Sequence, residues 1–503
     1  MLDCRSRMTT PDRPPLERAA RHSARVALWA SLVATALAAL LLHRFATPIP
    51  DASWREASRD QELWLAVDFA TRPEVELLRE LVSVDTSAPP AGESSREAEL
   101  ADRIAARLAH AGVPATVERF ADGRANLWAF VEGADPRAVV LHGHLDVEPP
   151  LEEGAWRFPP FSGAIDGPWI YGRGMYDMKS LLAAQLLAFE AVAAEARAGR
   201  LPARSLMLLF TSSEESGSDT GTRWILAEHP ELVARLATVL TEGGVIEALG
   251  PREVKYFGVE FAQKRFAFFE LCAADRESLA SLRAELLTRG ASDARPRVSP
   301  EVATFLASYG PSRGREDYRV LLRDPERLVR EDDRFRQLTP FLQSLFNEAV
   351  YAFEPQPAEG GGWTMKTVAH LLPGSSLEAL LADRLPPWLT HGVTVGPALL
   401  AGADHGSPVD HPDFRALTGV VARRHPEAAV GPYFLPVTAT DARHFRAAGR
   451  ITYGFSPFVL MPAETTGIGK PDEKMQLPAF LAGTALYREV VETLVAAPAR
   501  TGD

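Results

Sequence analysis

Val139-Val140-Leu141-His142-Gly143-His144-Leu145-Asp146-Val147 is the stretch around which the chain is organised, an apolar run that closes on a histidine and an aspartate two residues apart. Ala138 to Leu141 are apolar, two of them β-branched, and Asp135-Pro136 and Pro149-Pro150 bound the run. The pattern predicts a buried strand of a parallel sheet, and such sheets place their chemistry just beyond the carboxyl ends of their strands. Positions 144 and 146 of a strand point to the same side. Asp146 can then accept a hydrogen bond from one imidazole nitrogen of His144 and orient the ring toward a ligand at the other.

Upstream, Glu74 to Val84 and Glu97 to Ala111 show helical spacing, with Ser94 and Ser95 placed to cap the second helix. Ala115 to Glu118 and Asn126 to Phe130 read as short strands. This alternation predicts an α/β fold: a mixed, mostly parallel sheet with helices on both faces. Downstream, glycines in Tyr171-Gly172-Arg173-Gly174 allow a tight backbone path, and Asp177 opens an alanine- and leucine-rich helix to about Arg197. Asp177 is either a plain helix cap or a bridging carboxylate at the mouth of the sheet. The apolar strand Ser205 to Phe210 ends in Ser213-Glu214-Glu215, and Ala237 to Leu240 runs into Glu242-Gly243-Gly244. Three strand ends and one helix start therefore deliver His144, Asp177, Glu215 and Glu242. One nitrogen with several carboxylate oxygens suits zinc, and also cobalt or manganese. Of the adjacent glutamates, one can bind metal while its neighbour acts as general base on a water.

A formal net charge of -12, without a basic stripe in the body of the chain, excludes a nucleic-acid partner, which needs clustered Lys and Arg. Cys4 and Cys272 are too few for a disulfide framework. Val26 to Leu42 is uncharged and apolar, preceded by Arg5, Arg7, Arg13, Arg18, Arg21 and Arg25 and followed closely only by Arg44. This predicts a transmembrane anchor with a cytoplasmic amino terminus and the body on the non-cytoplasmic side. A cleaved signal peptide with secretion is the rival reading, its small-x-small site falling inside the apolar run at Ala36-Leu37-Ala38.

Gly143-His144-Leu145-Asp146-Val147, Gly172-Arg173-Gly174 through Asp177-Met178-Lys179, Ser213-Glu214-Glu215 and Glu242-Gly243-Gly244 together resemble the aminoacylase and carboxypeptidase group of co-catalytic zinc hydrolases, peptidase family M-twenty. Thr440-Asp441-Ala442-Arg443-His444-Phe445 and Tyr453-Gly454-Phe455-Ser456-Pro457-Phe458 extend the match. The chain is most similar to the membrane-anchored carboxypeptidase S and N-fatty-acyl-amino-acid hydrolase branch. The resemblance implies a first metal on His144, Asp177 and Glu242 and a second on Asp177 and Glu215. It also implies Asp146 as the group orienting His144, and Glu214 as the base that takes a proton from water and passes it to the leaving amine. The expected substrate is a small peptide or an N-acyl amino acid, and the inserted lid domain is expected to form a homodimer.

The chain departs from this pattern at three positions. Gly469 of Gly467-Ile468-Gly469-Lys470-Pro471-Asp472-Glu473 stands where the family has the second metal's histidine. The lid histidine that steadies the oxyanion is missing from Cys272 to Ser278, and His370 replaces an asparagine, while Arg384 keeps the arginine that meets a substrate carboxylate. His370, His391, His405 and His444 are candidates to substitute. Two readings follow: an amide-cutting metallohydrolase, or a catalytically silent or single-metal homologue that binds or assembles. The implied plan is a cytoplasmic segment 1–25, anchor 26–42, tether 43–60, catalytic domain 61–257 and 395–503, and an α+β lid 258–394.

Overall fold

The structure, a computed structural model, describes residues 69–497 apart from 90–92, 152, 251–252, 290–295, 313–315, 331, 386–389 and 466. The expected anchor 26–42 and its tether lie outside the described residues. Among the described residues no helix is long and apolar enough to cross a membrane.

Nine strands form the main sheet: β1 (Ala115–Arg119), β2 (Ala125–Val131), β3 (Asp135–His144), β4 (Arg204–Thr211), β5 (Leu236–Thr241), β6 (Val245–Gly250), β7 (Glu253–Gln263), β8 (Ala429–Leu435) and β9 (Ile451–Gly454). Their order is β1-β2-β4-β3-β5-β9-β7-β8, with β6 on β7. The centre is parallel, in the pairs β4 with β3, β3 with β5 and β5 with β9. The pairs β1–β2, β2–β4, β9–β7 and β6–β7 are antiparallel, so the expectation of a mostly parallel sheet is corrected to a mixed sheet with a parallel core. At the edge the cause is local. A tight turn at Phe120 to Arg124 folds β2 back on β1, and antiparallel partners need no crossover helix.

The alternation along β3 sorts its residues between two cores. Ala138 and Val140 pack with Met207, Leu209, Ile225, Val239 and Phe445 on one face. The other face meets a helical layer, in which α1 (Pro73–Val82), α2 (Glu97–His110), α3 (Ser180–Arg197), α4 (Pro412–Arg424) and α5 (Leu477–Ala496) are the long members. There α3 packs against α1 and α5, and α5 packs against α4. Contact between α3 and β3 is so close that a Cβ on Gly143 would lie 2.5 Å from Leu182 Cδ2 and 2.8 Å from Met178 Cε. Glycine at 143 is therefore what lets the helix that follows Asp177 lie directly beneath His144. Ser95 helps to start α2, its Oγ accepting from the Glu97 amide at 3.2 Å.

A buried ion pair fastens the layers. Arg204 on β4 grips Asp413 at the start of α4 through two contacts of 2.8 Å, and Thr238 on β5 donates to the same carboxylate at 2.6 Å. Leaving one charge of such a pair buried without the other costs roughly 3–5 kcal/mol.

The chain divides into two compact units. One holds Ala262–Gly406 and Phe434–Ala439; the other holds the described residues up to Phe261, Ser407–Tyr433, and those from Thr440 onward. The first is α+β: strands Arg265–Ala273 and Trp363–Leu371 pair antiparallel along their length. Leu279, Leu282 and Leu286 of the helix Arg276–Arg289 share its core with Phe269, Leu271 and Met365.

Candidate metal centre

The parallel register decides what meets at the sheet's carboxyl edge. His144 lies opposite Thr211, and Leu141 opposite Leu240, so the ends of β3, β4 and β5 lie close together although 30 to 97 residues separate them in sequence. His144 ends β3, Glu214 and Glu215 sit in the 3-10 turn after β4, and Glu242 follows β5. Ser213 makes the turn into the glutamate pair with a left-handed backbone (φ 58°).

Asp177 arrives from the fourth segment by a route the sequence did not predict. It does not cap α3, which starts at Ser180; it belongs to the turn Met175–Lys179, with a non-helical backbone (φ -121°, ψ 87°). This conformation turns the carboxylate toward the sheet, where Asp177 Oδ1 lies 2.8 Å from His144 Nε2. The peptide bond that follows, Asp177-Met178, is cis.

Two overlapping groups have ligand atoms within 4.8 Å of one another: His144, Asp177 and Glu215, and His144, Glu214 and Glu242. The resemblance implied a first metal on His144, Asp177 and Glu242 and a second on Asp177 and Glu215, with Glu214 outside both. In the structure the imidazole is common to both groups, and the Asp177 and Glu242 carboxylates, each near His144 Nε2, are hydrogen-bonded to each other.

Asp146 also acts differently from expectation. The closest acceptor to His144 Nδ1 is the Asp146 main-chain carbonyl at 2.9 Å; the Asp146 carboxylate is 3.5 Å away. Its two oxygens instead accept from the Glu214 and Glu215 amides, each at 3.0 Å. One residue thus fixes the tautomer that leaves His144 Nε2 open and also holds the turn that aims the glutamate pair.

Burial shapes the protonation of the cluster. Glu214 is pushed well above the usual carboxylate range by burial, opposed by the Arg443 guanidinium. Burial and then Asp177 push Glu215 up, and the same two causes bring Glu242 to about 7. For His144 burial opposes the charge, but Asp146, Asp177 and Glu242 outweigh it and raise the ring well above its ordinary value. Burial would raise Asp177 too, yet the His144 ring holds it below the usual range. A histidine beside one ionised aspartate and three glutamates that resist full ionisation is a donor set that a divalent cation fits, since the cation supplies the missing positive charge.

Metal binding to this set must displace protons. Zinc affinity is expected to rise as pH increases from 6 to 8, by about tenfold per unit for each proton released. On stability without metal the raised carboxylates act in the opposite direction. Glu242 stabilises the fold below its ordinary pKa of 4.5, and that contribution is lost as pH rises through about 7. Competition with a chelator at pH 6, 7 and 8 checks this, and a pH-independent affinity would contradict it.

Several residues that shape the centre stood in the matched motifs without a role read from them. Arg443 Nη2 lies 3.5 Å from Glu214 Oε1. Asp441, buried beneath it, accepts from Ser218 and, at 2.6 Å, from Thr222. Arg173 pairs with Glu473 at 2.7 Å and donates to the Gly469 carbonyl at 3.0 Å, while Glu473 also accepts from the Tyr176 amide at 3.0 Å. The segment around Gly469 is therefore fastened to the turn that carries Asp177, but at position 469 it offers only backbone atoms.

Among the described residues none of His370, His391, His405 and His444 enters a metal-competent group. His370 is a core side chain between Phe266 and Tyr351, with ring centroids at 4.5 and 4.8 Å, and burial brings its pKa to about 3. His391 and His405 are exposed. His444 Nε2 receives Arg443 Nε at 3.1 Å. Arg384 is buried in its own unit, donating to the Glu348 carbonyl at 3.4 Å. His142, two residues before His144, is bound to Thr241, Thr211 and Thr222 at 2.9 to 3.0 Å, and burial brings it to about 4.

Fold and cluster place the chain among α/β proteins that assemble a histidine-carboxylate centre at the carboxyl edge of a sheet. More narrowly, the chain belongs to peptidase family M20/M25/M40, whose sequence profile matches residues 140–493. It is similar to the succinyl-diaminopimelate desuccinylases of Methylocella silvestris (37% identical over 30% of this chain and 38% of that one) and Dinoroseobacter shibae (40% over 24% and 30%). The matched part thus spans well under half the length of these curated relatives. The structure of an M20 family metallo-carboxypeptidase from Sulfolobus solfataricus superposes with a TM-score of 0.60 at 17% identity, covering 84% of this chain and 99% of that one. Human carnosine dipeptidase 1 gives 0.58 at 15% identity, covering 84% and 97%. At such identities the likeness is one of fold.

Proposed function

We propose that the chain is a metal-dependent hydrolase that cuts an amide bond in a small peptide or an N-acyl amino acid. The observation that carries this reading is the convergence of His144, Asp177, Glu214, Glu215 and Glu242, from four separate segments, into two metal-competent groups that share His144. The metals, zinc or else cobalt or manganese, would be held by His144, Asp177, Glu215 and Glu242; once bound they supply the Lewis acidity that polarises the scissile carbonyl and acidifies water. Glu214 is the general base. Its burial suits it to hold a proton between taking it from water and giving it to the leaving amine. Asp146 orients His144 through its carbonyl and the glutamate turn through its carboxylate. Relatives whose names include desuccinylase and dipeptidase support both substrate types.

Gly469 favours a second reading, a single-metal or catalytically silent homologue, because no side chain at that position can complete a second site. Metal atoms per purified chain after zinc loading, with turnover on a panel of N-acyl amino acids and dipeptides, separate the two. Two zinc per chain with turnover is the expected result. One per chain with no turnover leaves a binder, and none refutes the metal centre.

Within the family we assign the chain to the membrane-anchored carboxypeptidase S branch, on the apolar, arginine-flanked stretch 26–42. Sedimentation of the full chain with membranes after a carbonate wash is the expected result, and full release would refute the anchor. Pairing of two copies through the inserted lid 258–394 belongs to the same assignment, and a monomer mass by light scattering would refute it.

A further inference from the structure

Amide hydrolysis at this centre requires two things of the protein: a base for the water and a donor for the negative charge that develops on the carbonyl oxygen. The glutamates can provide only the first. Arg443 is the cation that most offsets the charge of Glu214. Its Nη2 lies 3.5 Å from Glu214 Oε1, and its side chain is 13% exposed, so the guanidinium is held beside the base and largely out of solvent. On its far side Nε donates to His444 Nε2 at 3.1 Å, which fixes the plane of the guanidinium and leaves Nη1 with no partner among the described residues. Burial keeps His444 neutral, near 3, so that Nε2 can accept this bond at working pH.

We propose that Arg443, held in plane by His444, is a catalytic residue that donates to the carbonyl oxygen of the scissile amide in the transition state. The inference rests on the hydrolase reading above. As the water oxygen adds to the carbonyl carbon, one of its protons passes to Glu214 and the carbonyl π pair moves onto the oxygen that Arg443 meets. Collapse of the adduct restores the C=O bond and expels the amine, which takes the proton from Glu214. A guanidinium beside the base is suited to this because it never loses its proton and presents several donors in one plane.

The test uses the zinc-loaded full chain, freed of unbound metal, and three substitutions: Arg443→Ala, Arg443→Lys and, as a fold control that keeps the side chain long and polar, Arg443→Gln. Expected are unchanged zinc per chain, a fall in kcat of roughly 100-fold or more for the Ala and Gln variants with KM moved far less, and partial recovery of the Ala variant in guanidinium at non-denaturing concentration. Inorganic phosphate, an oxyanion probe that needs no turnover, should bind at least about tenfold more weakly to the Ala variant than to the parent. Loss of zinc together with activity would overturn the proposal in favour of a structural role, as would unchanged phosphate binding or a kcat within about threefold of the parent. Failure of the hydrolase reading is distinguishable, because Glu214→Gln would then leave turnover unaltered whatever Arg443 does.

Discussion

Glu214→Gln is expected to abolish measurable amide hydrolysis while leaving zinc per chain and thermal unfolding close to those of the parent. Glutamine keeps the size of the side chain and its place in the turn, where the Glu214 amide is held by Asp146. It removes the one function the proposal assigns to this carboxylate, carrying a proton from water to the amine. A positioned general base contributes about 100- to 10,000-fold, so kcat should fall by that factor with KM little changed. Because Glu214 also lies within ligand reach of His144 and Glu242, metal analysis of the variant is part of the result. A loss of zinc would make Glu214 a ligand instead of the base.

Asp177→Asn should have the opposite profile, with metal lost first and activity as a consequence. Asp177 contacts His144 at 2.8 Å, shares a group with Glu215 and is hydrogen-bonded to Glu242 of the other group, so it is the carboxylate best placed to serve two ions. A neutral amide takes away the charge that draws a divalent cation between buried groups. Zinc per chain is expected to fall below one after dialysis, with turnover reduced at least about 1,000-fold, the product of two lost contributions. The zinc-dependent part of stability should shrink too; for an intact site it amounts to about 2.7 kcal/mol at a free zinc concentration 100 times Kd. Retention of the full zinc complement with the same zinc-induced rise in Tm would show that Asp177 does not bridge.

Strand existence was legible for three of the four strands of the parallel core, because β3, β4 and β5 are short apolar runs closed by polar turns. Their ends were equally legible, and so were the residues His144, Glu214, Glu215 and Glu242 that follow them. Asp177 was legible as a residue but not as a conformation. Glycine-rich entry and a helical run behind it suggested a cap, whereas packing of Met178 under Gly143 and of Lys179 Nζ on the Val84 carbonyl at 2.6 Å holds an extended backbone there. The four candidate histidines were indistinguishable by sequence. Only their neighbours show that His370 is core and that His444 supports an arginine.

The sequence by itself determined the family, the set of acidic residues and the imidazole offered at the sheet edge, and the absence of a side chain at Gly469. These are local properties: an apolar period, a turn, a residue type at a position. Tertiary structure alone decided that the carbonyl of Asp146, not its carboxylate, is the nearest partner of His144, that both carboxylate oxygens of Asp146 steady the glutamate turn, and that Arg443 faces Glu214 across 229 positions of sequence. Such pairings are set by strand register and by which layers are packed together, and a contact between distant segments leaves no mark on the local pattern of either one.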